Sequence, residues 1–176
     1  MEYKFTQPRV ALALIEGHRI EGYASVFGAR DKGGDTVLPG AYTGALARME
    51  ARGDKVRMLW QHDPAQPIGI WDEVVEDGHG LRVAGRLLPE VARAREAFVL
   101  LQAGAVDGLS IGYRTLRAEA VPGGGRKLIE LELWEVSLVT FPMQAEARLS
   151  QKTNMIQDLG ALTAQLRAAR TNVARL

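Results

Sequence analysis

Cysteine is absent from this 176-residue chain. That excludes disulfides, thiol nucleophiles and thiolate metal sites together, and it suits a reducing compartment. No apolar run approaches the roughly 18–20 residues that cross a bilayer. The start, Met1-Glu2-Tyr3-Lys4-Phe5, lacks the basic-then-apolar layout of a signal peptide. The expectation is a soluble intracellular protein with no membrane partner. Charge of one sign is also lacking: 22 Lys and Arg face 21 Asp and Glu, for a net charge of +1. No global field therefore points to nucleic acid. His-Glu-x-x-His is missing. Neither Gly33-Gly34 nor Gly123-Gly124-Gly125 is followed by the lysine and hydroxyl residue of a phosphate loop. No cofactor is implied, and no internal repeat is visible.

What is present favours strands. Apolar residues make up 47% of the chain, enough for a sizeable core, and 19 glycines and 7 prolines point to many turns. The charge is uneven. Residues 151–176 hold Lys152, Arg167, Arg170 and Arg175 against Asp158, which leaves −2 on the first 150 residues.

The patterning divides the chain in two. Strands are expected over 10–15, 20–27, 56–60, 68–75, 81–87, 107–115 and 128–139, with a hairpin around Glu76-Asp77-Gly78-His79-Gly80. Pro64 is expected to halt its ladder and leave His62 at a strand-to-loop exit. Tyr42, Leu46 and Met49 mark a short helix that Gly53 stops. A second helix runs from Pro89 to Ala103. After the polar joint 150–154, Ile156, Leu159, Leu162, Leu166 and Val173 line one face of a third. The fold class is α+β and β-rich: a body over 1–148, then a helical tail over 149–176.

Gly108-Leu109-Ser110-Ile111-Gly112 carries the sharpest chemical signal. It is the Gly-x-Ser-x-Gly pattern of a serine nucleophile on a tight turn. An α/β-hydrolase needs its histidine after that serine, yet His18, His62 and His79 all precede Ser110. Ser25, Ser137 and Ser150 are the other serines that could act. A serine nucleophile needs a base, a group to orient the base, and oxyanion donors. His62, between an apolar strand and Asp-Pro, is the best base; His18 and His79 read as solvated turn residues. For the orienting acid there are Asp63, a direct neighbour poorly placed to reach the ring, and Glu135. Glu135 lies an odd number of residues from Glu130 and Glu132. Strict alternation would turn it toward the leucine face, where a carboxylate needs a partner. A histidine would serve, as would an arginine; a bulge would instead return it to water. The competing chemistry is a metal site built from His62, Asp63, His79 and Glu135.

The set of short segments resembles the prohead (capsid-maturation) serine proteases of tailed bacteriophages and gene-transfer particles. The matching pieces are Gly22-Tyr23-Ala24-Ser25-Val26-Phe27, Val37-Leu38-Pro39-Gly40-Ala41-Tyr42, Leu59-Trp60-Gln61-His62-Asp63, Pro67-Ile68-Gly69 and Gly80-Leu81-Arg82-Val83. They continue with Gly108-Leu109-Ser110-Ile111-Gly112-Tyr113 and Trp134-Glu135-Val136-Ser137-Leu138-Val139-Thr140-Phe141-Pro142. The resemblance covers about residues 20–148 and leaves the tail unmatched.

The resemblance implies a small β-barrel of about seven strands flanked by helices, similar to the herpesvirus assembly proteases. It implies an endopeptidase with His62 as general base, Ser110 as nucleophile and Glu135 orienting His62; the herpesvirus relatives use a second histidine in that last role. The implied substrate is the major capsid protein or its scaffold segment, cut inside the assembling prohead in a bacterial cytoplasm, with self-cleavage and a homodimer as further expectations. The tail would be a removable targeting or packing element. The alternative is a non-catalytic assembly scaffold that binds through its C-terminal helix.

Overall fold

The computed structural model describes residues 18–150, so the strand expected over 10–15 and the helix of the tail lie outside the described residues. Those residues form seven strands and two helices: β1 (Arg19–Val26), β2 (Thr36–Val37), α1 (Thr43–Arg52), β3 (Arg57–Trp60), β4 (Asp63–Glu76), β5 (Gly80–Leu87), α2 (Ala92–Gln102), β6 (Gly108–Ala120) and β7 (Arg126–Val139). Both helices fall where their apolar spacing places them. Gly53 ends α1 in the left-handed conformation, φ 69°, that a glycine adopts freely.

The strands make one curled, half-barrel sheet. Its order is β1-β5-β4-β3-β7, with β6 on the other edge of β7; β2 adds a two-residue parallel ladder to the start of β7. The edge strands β1 and β6 do not pair with each other. The segment 147–150 joins them instead, through Tyr23 N–H to Arg148 O (3.0 Å) on one side and Leu109 N–H to Ala147 O (2.8 Å) on the other. An unpaired edge is a template for aggregation, and this segment covers both.

The core fills the inside of the curl. Ile20, Met58, Ile68, Leu81, Val83, Leu109, Leu131, Leu133, Val136 and Leu138 meet there, with Leu101 of α2 and Ala45 of α1. Full burial of each large apolar chain contributes about 1.5–3 kcal/mol relative to exposure.

Three local expectations change. Pro64 does not end its strand. Trp60 pairs with Asp63 and Leu59 with Pro67, so Pro64, Ala65 and Gln66 bulge out of the ladder and need no backbone donor there. His62 therefore sits in a tight hairpin turn between β3 and β4, not at the start of a loop. The Gly-x-Ser-x-Gly stretch is not a turn either: Gly108 to Gly112 is the extended start of β6, and neither glycine has a positive φ. Finally, alternation along β7 breaks at Trp134. Gly112 pairs with Glu135 and Tyr113 with Leu133, which leaves Trp134 as an extra residue without an opposite number. This bulge moves the core positions from Leu131 and Leu133 to Val136 and Leu138. Glu135 consequently faces away from the leucines, contrary to strict alternation.

Candidate active site

The outer face of β7 carries the site. Residues directly opposite in an antiparallel pair project to the same face. Ser110 pairs with Ser137 and Gly112 with Glu135, so Ser110, Ser137 and Glu135 share that face. On the other flank of β7, β3 runs parallel to it with Leu59 beside Ser137 and Trp60 beside Leu138. The turn after Trp60 brings His62 over the same patch.

That turn consists of Gln61 and His62, with φ values of 53° and 62°. Positive φ at both central residues is what a two-residue hairpin of the favoured twist requires, and Asn-Gly is its usual occupant. For other L-residues this conformation costs about 1–2 kcal/mol each. The turn is held by β7 and the segment after it. Gln61 N–H donates to Leu138 O (3.0 Å). The Gln61 amide donates to Thr140 Oγ1 (2.8 Å), and His62 N–H donates to Ser137 Oγ (3.1 Å).

His62 Nδ1 lies 2.6 Å from Glu135 Oε1. An ionised carboxylate only accepts, so Nδ1 carries the proton in the neutral ring and Nε2 keeps its lone pair. The other carboxylate oxygen, Oε2, accepts from Ser137 Oγ at 2.6 Å. The Glu135 side chain is 10% exposed and the His62 side chain 42%. The carboxylate is thus buried and doubly bonded, while the imidazole reaches solvent.

Gly112 makes room for this carboxylate. A Cβ built at Gly112 would collide with Glu135 Oε1, so the Glu135 side chain would have to shift. At Gly108 a Cβ would stand 2.6 Å from Val139 O and 2.7 Å from Pro142 Cδ. Both glycines of the pentapeptide therefore permit close approach, one to the acid and one to the chain beyond β7.

Ser110 is buried, yet it lines a cavity of about 140 Å³ with Ser25, Val37, Tyr113, Met143 and Gln144. Asp31 and Asp35 also reach this cavity. Arg126, hydrogen-bonded to Asp35, holds the Asp35 carboxyl below the usual carboxylate range. Burial pushes the Tyr113 phenol up. No hydrogen bond joins Ser110 to His62 among the described residues; the two flank β7 on opposite sides.

The other sequence candidates go elsewhere. Asp63 turns back on its own strand, accepting from Ala65 N–H (2.9 Å) and the Gln66 amide (3.1 Å). His79 stands edge-on to Tyr23 and His18 packs on Phe98. Ser25 is buried on β1. Among the described residues no three His, Asp or Glu side chains form a group able to hold a metal ion. No helix among them is long and apolar enough to cross a membrane. Ser137 was one serine among four in the sequence; only the cross-strand register reveals its two bonds at the site.

Comparison with known proteins gives these positions a setting. The chain is 37% identical over 133 residues to the prohead protease of Enterobacteria phage HK97, covering 74% of this chain and 58% of that protein. It is 34% identical over 102 residues to the capsid polyprotein of Pseudomonas phage PAJU2, covering 54% of this chain and 15% of that one. The chain thus spans little more than half of the first relative and a small part of the second. Among solved structures, the varicella-zoster virus protease aligns with a TM-score of 0.48 at 15% identity, over 74% of this chain and 62% of that one. The model of the caudovirus prohead serine protease family matches residues 9–160. The strand that carries Ser110, the turn that carries His62 and the strand that carries Glu135 all fall within that match, and the chain belongs to the caudovirus prohead serine protease family.

Proposed function

We propose that the chain is a serine endopeptidase of capsid maturation, with Ser110 as nucleophile, His62 as general base and Glu135 orienting His62. The observation that carries this is the 2.6 Å contact from His62 Nδ1 to a buried carboxylate, made on the face of β7 that Ser110 shares. It leaves Nε2 free to take a proton.

The chemistry follows from that tautomer. Adjacent strands stand about 4.8 Å apart. Ser110 and His62 lie on either side of β7, on the face that Glu135 shares. Substrate binding closes the remaining gap, as catalytic contacts often tighten only in the complex. Nε2 takes the Ser110 proton as Oγ attacks the scissile carbonyl, and Glu135 stabilises the imidazolium that forms. The imidazolium then returns the proton to the leaving amine. Water repeats the cycle on the acyl-enzyme. The cavity beside Ser110 offers space for a substrate side chain. Backbone amides near Ser110 or in 138–141 are the candidate oxyanion donors.

The proposed substrate is a capsid protein or its scaffold segment, cut inside the assembling prohead. The name of the PAJU2 relative, a capsid polyprotein, supports a capsid substrate. Self-cleavage near the joint 150–154, with release of the tail over 149–176, belongs to the same proposal, as does a homodimer.

The test is co-expression with its capsid protein, read by the mass of that protein. Ser110→Ala is expected to leave it at full length, and His62→Ala to do the same while remaining folded. Normal trimming by Ser110→Ala would refute the assignment and favour the scaffold role. Deleting residues 151–176 would then be the damaging change.

A further inference from the structure

Ser137 touches both members of the His62–Glu135 pair, yet its own hydroxyl has no access to a substrate. Its side chain lies on the outer face of β7, wholly buried. It donates to Glu135 Oε2 at 2.6 Å and accepts from His62 N–H at 3.1 Å. One hydroxyl has one proton and two lone pairs, so both bonds can be made at once.

We propose that Ser137 is a positioning residue that locks the acid and the base into one arrangement. The inference rests on the reading of His62, Ser110 and Glu135 as the catalytic set. Its two bonds do different things. The bond to Oε2 occupies the oxygen that His62 does not use, which fixes the carboxylate plane and leaves Oε1 aimed at Nδ1. Without it the carboxylate could rotate about its terminal bond, a broad torsion with no strong preference of its own. The bond from His62 N–H anchors the backbone of a residue at φ 62°. That conformation is disfavoured for histidine and persists only where its surroundings hold it. Ring position and carboxylate orientation are therefore set by the same atom.

Ser137 is ruled out as nucleophile by the same geometry. Its proton is committed to Glu135, and it does not line the cavity that Ser110 lines. Ser110 and Ser137 face each other across the β6–β7 ladder, one open to a cavity and one closed.

The experiment uses a fluorophosphonate, a probe that needs no knowledge of the cleavage sequence. Ser110 Oγ forms a bond to phosphorus, fluoride leaves, and the hydroxyl proton passes to His62 Nε2. The full-length protein is labelled, the modified residue is identified by mass spectrometry, and the rate is measured. Ser137→Ala is expected to slow labelling by about 10- to 100-fold, the usual effect of a misplaced catalytic group. Ser137→Cys, nearly the same size but a weaker donor, is expected to fall between, and it serves where the alanine variant does not fold. The deciding readout is a double-mutant cycle with Glu135→Gln. A residue acting through Glu135 shows strong non-additivity; a merely structural one adds its loss independently.

Wild-type labelling rates in either folded Ser137 variant, or additive losses in the cycle, would overturn the inference. So would probe attached to Ser137. Labelling that persists elsewhere in Ser110→Ala would instead sink the catalytic assignment itself. The two failures are thus told apart.

Discussion

Two hairpin turns in this molecule need left-handed backbone, and they meet the need differently. The turn between β6 and β7 uses Gly123, Gly124 and Gly125, with φ of 90°, 100° and 86°. The turn between β3 and β4 uses Gln61 and His62 at 53° and 62°. Glycine adopts these angles without penalty, so the first turn needs no outside support. Gln61 and His62 do carry a penalty, and three hydrogen bonds to Leu138, Ser137 and Thr140 offset it. A turn that only reverses the chain can discard its side chains. A turn that must present an imidazole cannot, and the chain holds it in place from the neighbouring strand.

The held turn loses most when the room beside Glu135 is taken away. Gly112→Ala places a methyl group against the Glu135 carboxylate. With Glu135 displaced, His62 Nδ1 loses its carboxylate partner. Fluorophosphonate labelling is expected to fall by up to about 10⁴-fold, the effect of losing an orienting carboxylate. A folded Gly112→Ala protein that labels normally would show that the His62–Glu135 contact does not depend on Gly112.

Next in size is a pair of substitutions that separates side chain from backbone. His62→Ala and His62→Gly both remove the imidazole and are expected to lose capsid-protein trimming alike. The glycine variant should be more stable than the alanine variant by about 1 kcal/mol, because only glycine relieves the left-handed strain. At the other turn the sign reverses. Gly124 has open space around its Cβ position, so Gly124→Ala should cost about 1 kcal/mol through φ alone and leave labelling unchanged. Denaturant melts of the four proteins, wild type included, check both. Equal stability of the two His62 variants would remove the strain argument.

The smallest effect lies just beyond the glycine turn, where Arg126 pairs with Asp35 (2.5 Å). Its hydrogen bond lowers the Asp35 carboxyl below its unfolded value. The pair therefore stabilises the fold above the ordinary carboxylate value of about 4, and that contribution is lost as pH falls through the lowered one. Arg126→Met should melt below wild type at neutral pH, and the gap should close on acidification. Solvent exposure keeps the difference small. A gap that widens in acid would contradict the assignment.

Much of the frame was legible in the sequence because it depends on local pattern. The apolar spacing in α1 and α2 and the glycine that stops α1 are properties of short stretches. The misreadings share a cause. Pro64 reads as a strand end, but a three-residue bulge carries it. The glycines around Ser110 read as a sharp turn, but they stand in an extended strand where neighbours come close. Glu135 was expected on the leucine face, and the bulge at Trp134 reversed it. It is buried nonetheless, because His62 and Ser137 meet it on the outer face. Bulges depend on what the partner strand does, and no single strand's alternation reports that.

Local pattern writes out a β-rich chain without thiols, its periodic elements, and a family resemblance carried by short segments in order. Packing between strands sets the rest: Gly112 leaves room for the Glu135 carboxylate, Ser137 bridges Glu135 and His62, and His62 sits in a left-handed turn held by β7. Each of those facts rests on register between β3, β6 and β7. Register is settled by packing and hydrogen bonding across strands, not by the residues within any one of them.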